Sequence, residues 1–368
     1  MTLILEHSIS LSISLPKGAV HAGMDVFYNP LMLSNRNISI LLLNSLPRQN
    51  LKIADPLAGS GVRSLRFLKE LKKNKIKQIC INDLKDTFPQ TFKEEALRNK
   101  LSISKLIKTE KLKISHEEAS LFLLHETGFD YIDIDPFGSP NPFLAAAVAR
   151  ISRDGILAVT ATDTAALTGT YPLVTRRKYW AEPLWNYLMH ETGLRILIRR
   201  VQLQGTQFDK ALIPILSYHK EHYFRIYFKV VKGKEKCDEI LKLQHYLLFC
   251  PSCLNYKTSI YNQDICSCGQ KFSFAGPLWI GSLFDQKLLQ TMSKKNPFPE
   301  EQQFLDQLNE EASLPVVGFY DLHQIARKLK TDVPRMDLVL QKVKGVRTHF
   351  SGTGIKTTAS LDEIKKLF

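Results

Sequence analysis

The chain has 368 residues, enough for two or three domains with a substantial core. Its 44% apolar and 23% charged content excludes a disordered or fibrous protein. Lys plus Arg exceed Asp plus Glu by 50 to 36, a formal charge of +14 that suits an anionic partner such as nucleic acid.

The first fifteen residues alternate apolar and polar (Leu3, Leu5, then Ile9, Leu11, Ile13, Leu15) and carry Glu6 and His7. That pattern predicts strand, not a signal peptide. Lys17 to Tyr28 reads as an irregular loop, after which Asn29 offers an N-cap and Pro30 a first-turn residue for a helix to about Leu46. Short apolar runs then alternate with amphipathic stretches. They predict strands near 51–55, 77–83, 112–115, 129–135 and 154–162 with helices between, the beat of a βαβ sheet. Ile213–Tyr218 and Tyr223–Val231 break the beat and are expected to pair antiparallel, because too few residues separate them for a crossover helix. The lysine-rich stretch Lys232–Asp238 reads as a linker, which puts a domain boundary near 232. The most apolar helical stretch, Phe143–Ala149, is far short of the roughly 20 residues of a membrane span. A soluble, cytoplasmic protein is expected, with no membrane association and no obligate protein partner.

Three motifs carry chemistry. In Asp55-Pro-Leu-Ala-Gly59-Ser-Gly61-Val-Arg63 a strand gives way to a helix through a glycine turn, so Gly59 and Gly61 let backbone approach a small ligand at the strand's carboxyl end. The next strand ends in Asp83, where a carboxylate can chelate the two hydroxyls of a ribose. A pyrophosphate fingerprint would carry a third glycine, and acidic Asp55 would repel phosphate; a cationic, phosphate-free nucleoside fits better, and S-adenosylmethionine is the obvious candidate. Glu117 or Glu118 then faces the adenosine with Ala119 behind the adenine, or the pair is simply a solvated helix start.

The second motif, Tyr131-Ile-Asp133-Ile-Asp135-Pro136-Phe137-Gly138-Ser139-Pro140, ends the fourth strand of the sheet. It resembles the Asp-Pro-Pro-Tyr motif of enzymes that methylate exocyclic amines of nucleobases. Such an amine has its lone pair drawn into the ring, so Asp135 is a candidate acceptor of its N–H and of its proton, and the Pro136 carbonyl a second acceptor. Phe137 is a candidate to stack on the base, which must leave its helical stack. Asp133 shares a strand face with Asp135.

The third is Cys250-Pro-Ser-Cys253, twelve residues, then Cys266-Ser-Cys268-Gly269, which has the look of a zinc ribbon closed by four thiolates. Its second pair has one intervening residue where most ribbons have two. A structural Zn ion is expected. Cys80 and Cys237 have no evident partner.

Phe27-Tyr-Asn29-Pro30 with Asn35-Arg36, Asp135-Pro-Phe-Gly-Ser-Pro140, Thr160-Ala-Thr-Asp163, Thr175-Arg176-Arg177 and Ala275-Gly-Pro-Leu-Trp279 together resemble the tRNA guanine-N2 dimethyltransferase family, archaeal type, which modifies the guanine at position 26. The resemblance implies a class I, Rossmann-like α/β methyltransferase domain, S-adenosylmethionine as methyl donor, tRNA as substrate and a separate C-terminal domain. It also implies that Arg36, Arg63, Asp83, Glu118 and Ala119 bind the cofactor. Asp135 and Phe137 would act on the base, and Phe27, before Asn29, would close over cofactor or target.

Arg176, Arg177 and Lys178, with Tyr179 and Trp180, and the pair Arg199-Arg200 are candidate phosphate contacts beside aromatic platforms. From Tyr320 onward two amphipathic helices (322–329, 336–343) and a hairpin around 348–357 suggest a winged-helix-like unit. The expected organisation is a methyltransferase domain over 1–231, with its N-terminal strand and loop extension, and a smaller α+β domain over 232–368, zinc-containing and winged-helix-like, that binds tRNA. Another tRNA position, rRNA or DNA are alternative substrates, and a non-catalytic tRNA-binding protein is the alternative of a different class.

Overall fold

The computed structural model describes residues 2–13 and 28–368. Strands β1 (Thr2–Glu6) and β2 (Ile9–Ile13) form an antiparallel hairpin. Asn29 Oδ1 accepts from the Leu31 N–H at 3.0 Å and caps a 3-10 turn, Pro30–Met32, that runs into α1 (Leu33–Ser45). The helix expected from Pro30 therefore begins with one tighter turn. Next come β3 (Leu51–Asp55), α2 (Val62–Glu70), β4 (Ile76–Asn82), α3 (Phe88–Arg98), α4 (Ile103–Lys108), β5 (Leu112–Ser115), α5 (Ala119–Leu124), β6 (Phe129–Ile134), α6 (Leu144–Arg150) and β7 (Ile151–Ala161). After α7 (Thr164–Leu167), α8 (Pro172–Tyr179) and α9 (Met189–Thr206), β8 (Lys210–Lys220) and β9 (Tyr223–Lys232) are joined by two residues, as an antiparallel pair allows.

The sheet has seven strands in the order β5-β4-β3-β6-β7-β9-β8. β3 pairs in parallel with both β4 and β6, so the strand order reverses there, and the crevice beyond the carboxyl ends of these three strands is where such sheets bind ligands. These strands are covered on both faces, and their near-continuous apolar runs follow from that: Ile53, Ala54, Ile79, Ile81, Ile132 and Ile134 are fully buried.

By compactness the chain divides into two units. The first is Met1–Ala161, Tyr227–Lys232 and Lys294–Glu301; the second is Thr162–Ile226, Gly233–Ser293 and Gln302–Phe368. A boundary near 232 coincides with one of the junctions, but Lys232–Asp238 is not a linker. It is the end of β9, a turn at Gly233, and the start of α10 (Lys234–Leu241), which buries Cys237 and Ile240. The lysines and glutamates of this stretch are the solvent face of an amphipathic helix, and their charge hid its periodicity.

In the second unit β10 (Gln244–Phe249), β11 (Tyr256–Ser259) and β12 (Ser273–Trp279) make an antiparallel sheet around the four cysteines. Helices α11 (Gln286–Lys294) and α12 (Gln302–Ala312) follow. Then β13 (Tyr320–Asp321), α13 (Leu322–Leu329), α14 (Met336–Lys342), β14 (Val346–Arg347), β15 (Gly354–Lys356) and α15 (Leu361–Lys365) complete the chain. The order β13-β15-β14 beside two helices is the winged-helix-like arrangement expected there, with shorter strands than the hairpin reading suggested.

Candidate active site and metal centre

The glycine turn between β3 and α2 is built as its sequence requires. Gly59 and Gly61 have φ of 58° and 73°, in the left-handed region open to glycine. The Gly59 N–H donates to Asp83 Oδ2 at 2.8 Å, which ties the turn to the end of β4. Asn82, beside it, is fully buried and stitches three strand ends: its Nδ2 donates to the carbonyls of Pro56 (3.1 Å) and Glu117 (2.9 Å), and its Oδ1 accepts from the Glu117 N–H at 2.8 Å. Glu118 caps α5 by accepting from the Leu121 N–H at 3.0 Å, and Ala119 is buried behind it. Glu117 pairs with His125 at 2.7 Å. The Ser60 hydroxyl at the apex of the turn is buried with no hydrogen-bond partner, an orphan that a polar ligand would satisfy.

Arg63, on the first turn of α2, gathers the carboxylates of this edge. Its guanidinium ion-pairs with Asp135 and lies 3.2 Å from Asp133 Oδ2, and it donates to Ser39 Oγ at 2.9 Å and Asn35 Oδ1 at 3.0 Å. Tyr131 donates its hydroxyl proton to Asp133 at 2.6 Å. Asp55, wholly buried, accepts from Ser64 Oγ at 2.6 Å; burial pushes its carboxyl up to about 7 despite Arg63 nearby, and Asp133 and Asp135 add to the rise. Asp133 and Asp135 thus face one guanidinium, with the partly protonated Asp55 behind them, an excess of negative charge that suits a cationic ligand and disfavours a phosphorylated one. With the glycine turn, the Asp83 carboxylate and the orphaned Ser60, this set fits S-adenosylmethionine.

Asp135 is positioned by β6, with a side chain 17% exposed, and the chain turns at Gly138 (φ 78°) directly after Phe137, a residue 48% exposed. A half-exposed phenylalanine beside an oriented carboxylate is a place for a flat ring carrying a polar edge.

Arg36 is engaged elsewhere. It forms a bidentate pair with Glu6 at 2.5 and 2.7 Å, donates to the Asn29 carbonyl at 3.3 Å, and stacks over Tyr28 at 5.2 Å. Glu6 also accepts from Tyr28 at 2.8 Å and from Arg66 at 3.0 Å. Burial alone would raise the Glu6 carboxyl, but Arg36 and Arg66 hold it below its usual range; burial and Glu6 push the Tyr28 phenol up to about 12. Arg36 thus anchors Asn29 and the N-terminal hairpin. Phe27 lies outside the described residues.

In the second unit, Arg176 pairs with Glu182 at 2.6 and 3.0 Å through an exposed bidentate bridge, and Arg177 is exposed beside it. Tyr179 donates to both oxygens of Asp163 at 2.6 and 2.7 Å.

The four cysteine sulfurs of Cys250, Cys253, Cys266 and Cys268 lie within 4.8 Å of one another, with Cys250–Cys268 and Cys253–Cys266 at 3.5 Å. Thiolates around one tetrahedral Zn ion at ~2.3 Å stand about 3.8 Å apart, so the set fits that ion. The shorter Cys266-x-Cys268 spacing is accommodated by a turn in which the Gly269 N–H donates to the Cys266 carbonyl at 2.8 Å with Gly269 at φ 84°. All four positions belong to protein ligands, which makes the centre structural.

Sequence reading missed Asn35, Ser39 and Asn82, the polar groups that hold Arg63 and the strand ends. Part of the signal was present: Asn35 and Ser39 lie one turn apart on the same face of α1 just before the apolar run Ile40–Leu43, and both are fully buried.

Among the described residues no helix is long and apolar enough to cross a membrane. A family model described as N2,N2-dimethylguanosine tRNA methyltransferase matches residues 7–368. A protein of Aquifex aeolicus named tRNA (guanine(26)-N(2)/guanine(27)-N(2))-dimethyltransferase is 39% identical over 367 residues, covering 96% of this chain and 91% of that protein. One of Methanobrevibacter smithii, named tRNA (guanine(26)-N(2))-dimethyltransferase, is 39% identical over 368 residues, 95% of this chain and 92% of its own. The solved structure of Trm1 from Pyrococcus horikoshii with S-adenosyl-L-methionine matches with a TM-score of 0.85 and 29% identity, covering 100% of this chain and 99% of that one.

Proposed function

The chain belongs to the N2,N2-dimethylguanosine tRNA methyltransferase family, and from that premise we propose that it methylates the exocyclic N2 of guanine 26 of tRNA, once or twice, at the carboxyl edge of β3, β4 and β6. The observation that carries the reading is Asp135, fixed by Arg63 at the end of β6 and followed by the half-exposed ring of Phe137.

S-adenosyl-L-methionine, when bound, supplies a methyl group made electrophilic by its sulfonium. The turn at Gly59 and Gly61, with Asp83, Glu118 and Ala119, is our assignment for holding its nucleoside, and Asp55 and the surrounding carboxylates for favouring its positive charge. Arg63 supports that pocket through the carboxylates it holds, and Arg36 at one remove, by anchoring Asn29 and the N-terminal hairpin.

The protein's own groups handle the base. Phe137 stacks on the guanine once it leaves the tRNA stack, and the Asp135 carboxylate accepts one N2–H while the Pro136 carbonyl accepts the other. As the N2 lone pair becomes the new C–N bond, the donor's methyl–sulfur bond would break with its electron pair left on sulfur, while the N2 proton passes to Asp135 and the pair of the lost N–H bond becomes the new lone pair of N2. Once Asp135 has released that proton to water, the remaining N2–H can be accepted in the same way, so the same group serves a second transfer. No covalent nucleophile is required; positioning supplies much of the rate. Asn29, Arg176 and Arg177 are our assignment for substrate contacts, and the cytoplasm is our assignment for the protein's location, a compartment where thiols persist for metal binding.

The test is mass spectrometry of nucleosides from a tRNA transcript incubated with protein and isotopically labelled S-adenosyl-L-methionine, beside a transcript with guanine 26 replaced. Label is expected in N2-methylguanosine and N2,N2-dimethylguanosine and is expected to vanish with the replacement. Asp135→Asn should lower turnover by about 10²–10⁴-fold, the usual worth of a general base, with cofactor binding retained. Undiminished turnover would remove Asp135 from its role, and label that persists without guanine 26 would move the target.

A further inference from the structure

Trp180 ends α8 in a conformation that a bulky residue adopts at a cost. Its φ and ψ are 54° and 42°, in the left-handed region, and the residue is 52% exposed. Packing does not explain an indole kept half in water on strained backbone, and such strain is retained where a site needs it.

Two arginines of α9 hold it there. Arg199 Nη1 donates to the Trp180 carbonyl at 3.3 Å, and the Arg200 guanidinium lies 4.3 Å from the centre of the indole ring. Arg200 is only 8% exposed, and its Nε and Nη1 have no hydrogen-bond partner. No carboxylate pairs with Arg200 among the described residues. A buried cation without a counter-charge is expensive, and one stacked beneath an exposed aromatic both stiffens the ring and draws anions to its surface. A stacked base on a phosphate chain meets the ring and the charge together, and the chain's net charge of +14 suits such a polyanion.

We propose that Trp180, backed by Arg200, is a stacking platform for an unpaired base of the tRNA, with Arg199 and Arg200 attracting the adjoining phosphate. The inference rests on the reading that tRNA is the substrate, and it assigns a binding subsite in the second unit, outside the base-modifying edge. Because every base has a π face, the platform adds affinity without reading sequence.

The test compares the full-length protein with Trp180→Ala and Trp180→Phe, measuring unmodified transcript binding, methyl transfer and indole fluorescence. Trp180→Ala should raise the Kd and KM for tRNA roughly 5- to 150-fold, the range for loss of one base stack, with the effect in KM rather than kcat. Trp180→Phe, which keeps a ring, should recover most of the affinity. Saturating transcript should quench indole fluorescence in the wild type, and the quench should disappear in Trp180→Phe. Binding of Trp180→Ala within twofold of wild type overturns the platform, and so does an undiminished quench in Trp180→Phe, which decides the matter even if the alanine variant does not fold. A wild-type protein that labels no transcript would instead sink the tRNA reading itself.

Discussion

The guanidinium of Arg63 ion-pairs with the carboxylate of Asp135 across 72 positions of sequence, joining the first turn of α2 to the end of β6. Its remaining donors go to Asp133, Asn35 and Ser39, so one planar cation fixes the direction of the group assigned to the base. The family resemblance alone would make Arg63 a cofactor ligand. Its contacts also fit a positioning role, and the two roles separate in kinetics.

Arg63→Lys keeps the charge but loses the fork that reaches four partners at once. If Arg63 orients Asp135, kcat should fall about 10–100-fold, as misplacement of a reacting group by ~1 Å does, with the Kd for S-adenosyl-L-methionine changing far less. Steady-state kinetics with isothermal titration of the cofactor read both. An unchanged kcat with weakened cofactor binding would return Arg63 to a purely cofactor-binding role.

Gly61 answers to two constraints. Its φ of 73° is left-handed, and a Cβ there would stand 2.4 Å from Cδ2 of Phe92, a ring that is fully buried. Gly61→Ala should cost roughly 1–2 kcal/mol from the backbone and about 1–3 kcal/mol from overpacking. Urea denaturation of the variant checks the sum. A loss below about 0.5 kcal/mol would mean that the turn or Phe92 relaxes freely, a change within ordinary surface-mutation scatter.

How far sequence reaches is clear from particular residues. The strands around the crevice were legible because buried parallel strands must be apolar from end to end, and the glycine turn because left-handed backbone needs glycine. Asp135-Pro-Phe-Gly was legible because its chemistry is local to four consecutive residues. Glu6 was not: its alternating strand context marks it as a solvent-facing residue, and only folding reveals that Arg36 and Arg66 meet it from two helices. The same holds for Arg63, whose partners come from α1 and β6. Trp180 was legible as an aromatic among basic residues, but its left-handed backbone and the Arg200 guanidinium against its ring, 20 positions away, appear only in the fold.

The cysteine centre predicts a stoichiometric metal. Purified protein should contain one Zn ion per chain by elemental analysis, and chelation should unfold the β10–β12 region, because two of the four buried residues of its small core, Cys250 and Cys266 beside Leu248 and Phe272, are themselves metal ligands. Cys268→Ser, at the exposed ligand of the short pair, should lose Zn and lower Tm. Protein that is fully folded and metal-free by the same analysis would show that the four thiols hold no structural ion.

Acid should loosen the second unit. Glu311 is buried; burial alone would raise its carboxyl, but His349, at 2.6 Å, and Lys356 hold it down at about 2 against an ordinary 4.5. His219, stacked on His190 with centroids 4.0 Å apart and 12° between planes, is driven by burial, and by His190, His349 and His222, down to about 3 from 6.5. Both groups bind protons more weakly folded than unfolded. Their contribution is therefore present above the unfolded values and is lost as pH falls, for His219 from about 6.5 toward 3 and for Glu311 from about 4.5 toward 2. Tm should accordingly fall by several degrees between pH 7 and pH 4, with most of the fall below pH 6.5. His219→Gln removes the larger titration in the upper half of that window, so scanning calorimetry should find its Tm flatter than wild type between pH 6.5 and 5. Parallel slopes for the two proteins would show that His219 is not the group being forced to charge on unfolding.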